Sequence, residues 1–480
     1  MGAAGYGMEV EEGTRRSLEK HLQSVLVLVL AAIAAASMWF YVIGVLRAHQ
    51  IADAEAKQIP RGFLSDLYPR WLGTRELLLR HRNPYSRDVT LDIQEGYYGR
   101  RLDAARPNDP KDQQGFAYPV YVVFLLAPLI ALPFHAVQIF YSWLLFGLTA
   151  GSVCLWLRAL RWRLSMTATA TCIVLTLGSF PAVQGIRLQQ FSLLVAALLA
   201  GAAACVASGW FFLGGVLLAL ATIKPQLAGP PVIWLLAWAL SDWRARRKLA
   251  FGFGLVMVLL LAGAEIVLPG WWRMFAEAIR QYHQYTHNRS VLDQIMPWGG
   301  AGEILGAMAA LGCVFSLWKL RHEASDSEDF GRTLALVMAL TVLVVPMYAP
   351  YNQVLLLPAI LVLLQDRTLV AKKPIGNRSS GERSSGKTST EKSVTASRLN
   401  GARLGYAAAA LALMWQWIAT VSLSGAYFLV SPAWALRRWE WPFFATFALP
   451  VLIFLLILID VRGKHMATQR STPMRERAVT

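Results

Sequence analysis

Apolar runs of about twenty residues recur along this chain from one end to the other. A chain of this kind satisfies its backbone in lipid only as membrane-spanning helices. The candidates are 23–46, 116–134, 136–157, 165–181, 190–208, 210–224, 229–241, 249–268, 299–318, 332–350, 353–365, 404–430 and 442–460, thirteen in all. Hydrophobic residues are 56% of the 480 and charged residues only 16%, where soluble domains average about 25% charged. The expected fold class is all-α integral membrane.

The net charge of +17 does not point to nucleic acid, because the basic residues sit in short clusters between apolar runs. TRRSLEK, RALRWR, RARRK, AKKPIGNR and RGKHMATQR have the look of cytoplasmic loops under the positive-inside rule. Both ends are basic, so both are expected on the cytoplasmic side, which requires an even number of crossings. Twelve is the expected count. The weakest candidates are 210–224 and 229–241, each short for a bilayer and separated by IKPQLAGPP. They read as one broken helix or a re-entrant pair, which is tolerated where it lines a protein cavity. One conflict remains, since strict alternation from the first span puts RALRWR outside. The first run, 25–45, has no small-residue cleavage site after it and reads as a retained span. Cys154, Cys172, Cys205 and Cys313 lie within apolar runs without CxxC spacing, so neither disulfides nor a metal site is indicated.

The chain divides into a cytoplasmic tail (1–22), a transmembrane module (23–365), a Ser/Lys-rich linker expected to be disordered (366–403), a transmembrane hairpin (404–460) and a second tail (461–480). Two polar segments, 47–115 and 269–298, are expected outside. The first is about one-third charged. Its Leu64, Leu67, Tyr68, Trp71, Leu72, Leu78 and Leu79 recur at helical spacing, predicting a helix in the interface plane. Asn83-Pro84-Tyr85 is expected to end it.

Asp66, Tyr68, the Arg82-Asn83-Pro84-Tyr85 turn and Tyr118-Pro119, in that order after a first span, resemble glycosyltransferase family 87. IKPQ at 223–226 resembles that family's Lys-Pro element, and NRS at 288–290 its Asn-x-Ser loop. The elements spread over roughly residues 20–365. Val120 stands where the family usually has a second proline, and no glycine precedes the NPY turn. The resemblance implies a GT-C-like polytopic helical bundle of about twelve transmembrane helices, with interfacial helices in the first extracytoplasmic loop. It also implies sugar transfer from a lipid phosphate to a hydroxyl, as in the family's polyprenol-phosphate-mannose-dependent mannosyltransferases.

Such transfer needs a base for the acceptor proton, cations for the leaving phosphate and a groove for the lipid tail. Asp66, among Leu64, Leu67 and Tyr68, is the candidate base; the competing reading is a helix-start acid paired with Arg70. Asp88 and Asp92 are runners-up. Lys224, flanked by apolar residues, is costly in a span and is read as a phosphate ligand, with snorkelling to a headgroup as the alternative. Arg187, beside Gln189 and Gln190, is a second candidate cation or an ordinary loop arginine; Gln190 is taken with the substrate-binding set. The resemblance adds Tyr85 and Tyr118. His283, His287, Asn288 and Arg289, near Tyr282 and Tyr285, are expected to bind sugar hydroxyls or phosphate. His283 and His287 have the spacing of a metal pair, but no third ligand follows, so no metal site is assigned. Glu265 reads as a buried acid paired across helices, and Trp271, Trp272, Trp439 and Trp441 as interface belts.

The expected protein is therefore an inverting hexosyltransferase of the plasma (inner) membrane with an extracytoplasmic site. Its partners would be a polyprenyl-phosphate sugar donor, mannose by family resemblance, and a lipid or glycan acceptor, with no nucleic acid. Inversion is argued from a single base without a second close carboxylate. No cofactor is evident, and the sequence leaves any divalent-cation requirement open. A transporter or flippase explains the spans and Lys224 but not the charged first loop. A non-catalytic scaffold leaves the buried charges unexplained.

Overall fold

The computed structural model describes residues 3–56, 65–286, 289–372 and 389–471. Helices are the only regular structure among them. Six are long and apolar enough to cross a membrane: Leu18–Ala56, Phe134–Ala159, Trp243–Val267, Ala301–Lys319, Arg403–Leu429 and Pro432–Gly463. A seventh is added if Met166–Leu177 and Phe180–Arg187, bent by 57°, make one span. The protein is thus a multi-pass helical membrane protein.

The remaining apolar segments form shorter helices, and their surroundings explain why shortness is tolerated. In Phe191–Ala207 every residue but Leu198 and Cys205 is buried. In Glu328–Val344 burial is continuous from Phe330 to Leu343. Helices apolar all round and clad in protein do not meet lipid along their length, so bilayer thickness does not set it. Phe211–Ala221 packs on Trp243–Val267 through glycines. A Cβ at Gly215 would overlap the Leu249 carbonyl, and one at Gly252 the Phe212 carbonyl. Small residues let two backbones approach where no hydrophobic force drives helices together in lipid.

Several expectations need correcting. Segment 116–134 forms no spanning helix. It holds the five-residue helix Val122–Leu126 and a 3₁₀ turn, Ala127–Leu129, because Pro119, Pro128 and Pro133 remove backbone donors at short intervals. The first-loop helix runs Tyr68–Arg80 and ends on His81 at φ 54°, before Asn83 is reached. Its apolar face does not lie in lipid: Leu67, Trp71 and Leu77 are buried in the main core, and Trp71 Nε1 donates to the Leu129 carbonyl at 3.3 Å. Leu64 lies outside the described residues. Asn83 instead makes a turn, accepting from the Tyr85 amide at 3.0 Å, and Ser86 caps the next helix, Arg87–Tyr98. The linker expected over 366–403 is entered from both sides by the helices Leu357–Lys372 and Ser389–Leu429; residues 373–388 lie outside the described residues. The N-terminal tail is helical from Ala3 into the first span.

Two of the basic clusters, RALRWR and RARRK, meet the 321–326 turn at one end of the molecule. Arg158 donates to Ser208 Oγ at 3.1 Å and Arg161 pairs with Asp326 at 3.4 Å. Arg246 donates to the carbonyls of Trp238, Arg321, His322 and Glu323 at 2.9–3.2 Å. Arg332, buried, pairs with Glu328, Asp329, Asp366 and Asp460 at 2.9–3.1 Å, tying three helices together. The polar residues of interest collect at the opposite end.

Candidate functional site

The site is built on a turn. The helix Phe180–Arg187 stops, Gln189 adopts φ 48°, and Phe191–Ala207 begins. Three consecutive residues of this turn grip the segment before Tyr68. The Leu188 carbonyl accepts from the Asp66 amide at 2.9 Å. Gln189 Oε1 accepts from Ser65 Oγ at 2.7 Å, and Gln190 Nε2 donates to the Asp66 carboxylate. Asp66 is therefore fixed by backbone and side chain together.

Lys224 stands at the break between Phe211–Ala221 and Pro225–Ser241. Pro225 suits the first helical position, where the missing N–H costs nothing. The lysine is 3% exposed. Its Nζ donates to Ser192 Oγ at 2.7 Å and Gln190 Oε1 at 3.3 Å, and lies 5.2 Å from the centre of the Tyr351 ring. One amide thus bridges acid and cation, its nitrogen toward Asp66 and its oxygen toward Lys224, the orientation each partner requires. Arg70, one helical turn after Asp66, donates to the Asp66 carbonyl and lies 4.6 Å over the Tyr118 ring. Its buried Nε has no hydrogen-bond partner among the described residues.

These groups line one cavity of about 290 Å³, and the helix Trp271–Thr286 covers it with Phe275, Ile279, Tyr282 and His283. Burial pushes the Asp66 carboxyl above its ordinary range, with Arg70 and Lys224 pulling the other way. Asp112 lines the same cavity. Burial raises its pKa too, opposed by the Gln114 amide and Arg70.

The cavity brings together Asp66, Tyr118, Gln190, Lys224 and His283. Other expected residues fall elsewhere. Tyr85 lies behind the wall, its hydroxyl donating to the Tyr118 carbonyl at 2.6 Å, so it positions Tyr118. Arg187 points away into a second cavity, donating to Gln50 Oε1 at 3.1 Å. Arg289 is exposed, and its carbonyl accepts from the Tyr348 amide at 3.0 Å. His287 and Asn288 lie outside the described residues. Of the runners-up, Asp92 pairs with Arg82 at 2.8 Å and Arg101 at 3.5 Å, and Asp88 is exposed in the first turn of Arg87–Tyr98. Glu265 is exposed and accepts from the Gly270 amide at 2.7 Å, so it is no buried interhelical partner. Trp271 is buried against Tyr121 and is no lipid belt.

Three cavity residues have no strong sequence signal. Arg70 reads as a pairing partner, Asp112 sits in an irregular segment, and Tyr351 lies in the short 3₁₀ helix Pro350–Leu356, which has no apolar periodicity to announce it. Asp112 also removes one argument, because a second carboxyl on the cavity means that inversion no longer follows from a lone acid.

Helices of this length and apolarity, enclosing a polar cavity near one end, define a multi-pass membrane protein. Over residues 116–346 the chain matches the sequence model of glycosyltransferase family 87, the family that its short elements resemble; Tyr118-Pro119, IKPQ and NRS fall within the match, which indicates glycosyltransferase activity. The matched range takes in Tyr118, Gln190, Lys224 and His283, whereas Asp66, Arg70 and Asp112 precede it. No curated protein and no solved structure matched the chain.

Proposed function

We propose that the protein transfers a hexose, mannose, with inversion from a polyprenyl-phosphate donor to a lipid or glycan hydroxyl, on the extracytoplasmic side of the plasma (inner) membrane. The observation that carries this reading is the shared cavity of Asp66, Lys224 and Arg70. The acceptor hydroxyl loses its proton to the Asp66 carboxylate as its oxygen attacks the anomeric carbon. The bond to the donor phosphate breaks, and the lipid phosphate leaves with the electron pair. Lys224 and Arg70 offset the charge that grows on that phosphate, an electrostatic role that strengthens toward the transition state. The start of Pro225–Ser241 adds a helix dipole of favourable sign. Tyr282 and His283, on the covering helix, supply hydrogen-bonding groups for the sugar.

The same reading orients the fold. On this reading 116–134 does not cross, the other twelve apolar segments do, and both RALRWR and RARRK fall on the cytoplasmic side.

Purified protein supplied with radiolabelled polyprenyl-phosphate hexoses and a lipid extract tests the proposal. Label from the mannosyl donor is expected in an acceptor, with the opposite anomeric configuration. No incorporation from any donor would remove the lipid-phosphate reading. Retained configuration would turn attention to Asp112 as a nucleophile.

A further inference from the structure

Arg187 belongs to a second cavity, of about 620 Å³, walled by the first helix, by Phe134–Ala159 and by Phe180–Arg187. Trp39, Ile43 and Arg47 follow one another at four-residue steps on the first wall, so that wall passes from apolar to cationic along two turns. The second wall has the same gradient. Gln138 and Ser142 are near the start of Phe134–Ala159, and Phe146 lies a turn deeper. The first helix runs toward loop 47–115 at Arg47, and Phe134–Ala159 begins on the chain's return from that loop, so both polar ends face the same side. Arg47 and Arg187 line the cavity together, and Gln50, three residues beyond Arg47, accepts from Arg187. Among the described residues that line the cavity none is acidic. Its mouth is fringed by exposed apolar side chains, Ile43, Ile139 and Trp143, the last 70% exposed.

We infer that this cavity binds an anionic phospholipid, its phosphate held by Arg47 and Arg187 and its chains lying along Ile139, Trp143 and Phe146. The chemistry is that of a basic pocket between helices that opens sideways into lipid. The occupant is distinct from the transferred sugar's carrier. Gln189 separates the two cavities, bonding Ser142 on one side and Ser65, next to Asp66, on the other. The inference does not rest on the transfer reading and holds whether or not the first cavity handles sugar.

Native mass spectrometry of the full-length protein, titrated with phosphatidylglycerol and phosphatidylcholine, tests it. Phosphatidylglycerol is expected to be retained preferentially, and Arg47→Gln and Arg187→Gln are each expected to cut that preference about fivefold. Ile139→Trp, which fills the groove, is expected to abolish the retained lipid while leaving the protein's thermal transition in place. Three outcomes would overturn the assignment. One is equal retention of the two lipids. Another is a preference that survives both arginine variants, and Arg47, being exposed, can be replaced without disturbing the core. The third is displacement by a different ligand: inorganic phosphate acting as well as lipid would mark a small-anion site, and polyprenyl phosphate displacing phosphatidylglycerol at lower concentration would make this the donor's groove.

Discussion

Gln190 shares one amide between Asp66 and Lys224, so the candidate base and the candidate phosphate ligand are held in register by the same side chain. Snorkelling is not open to Lys224, which is buried and donates to Ser192 and Gln190. Lys224→Met is therefore expected to raise the donor KM and slow transfer, with Lys224→Arg recovering only part, since a planar guanidinium does not fill an ammonium's place. Wild-type donor KM and rate in Lys224→Met would eliminate the phosphate role. The raised Asp66 pKa carries a second expectation. A base works only when ionised, so activity should fall as pH drops through the raised value, above the ordinary Asp value of about 3.9. Asp66→Asn should cost about 10²-fold or more, whereas Asp112→Asn should keep the acid limb; the pH profiles of both variants check this. Asp66 and Lys224 were legible because a charge among apolar residues is costly unless it is used. Arg70, Asp112 and Tyr351 were not, since nothing local separates them from ordinary loop residues until the chain is folded.

Elements were misread where prolines act locally and where packing decides. Pro225 opens a helix four residues before the start that apolarity alone gives, and the prolines at 119, 128 and 133 break a segment whose composition reads as a span. The apolar spacing of Leu67 and Trp71 predicted a helix correctly but not the side it faces, because lipid and protein core attract the same residues. Helix length gave the same difficulty: Phe191–Ala207 is short because protein encloses it. The contact of Phe211–Ala221 with Trp243–Val267 offers a test at this scale. Gly215→Leu is expected to push the two backbones apart and lower the thermal transition, an overpacking cost of about 1–3 kcal/mol. Gly229→Ala, with open space where its Cβ would fall, is the control and should melt like wild type. An unchanged transition in Gly215→Leu would show that the two helices do not meet this closely.

At the scale of the whole molecule, alternation of charge and alternation of spans conflict only while 116–134 counts as a crossing. With that segment folded as short pieces packed beside Trp71, the chain returns through Phe134–Ala159 and brings RALRWR to the end where Arg161 pairs with Asp326 and Arg246 caps the 321–323 turn. Hydropathy cannot distinguish a span from an apolar segment that packs on protein, so apolar length alone does not fix the parity of the crossings. The topology is open to a direct measurement. In a variant without the four native cysteines, Arg106→Cys in the first loop and Arg163→Cys in RALRWR replace exposed residues. A membrane-impermeant maleimide applied to intact cells is expected to label Arg106→Cys at once, and Arg163→Cys only after permeabilisation. Labelling of Arg163→Cys from outside would return 116–134 to the count of crossings. It would also place the basic cluster on the same side of the membrane as the cavity of Asp66 and Lys224, against the positive-inside rule.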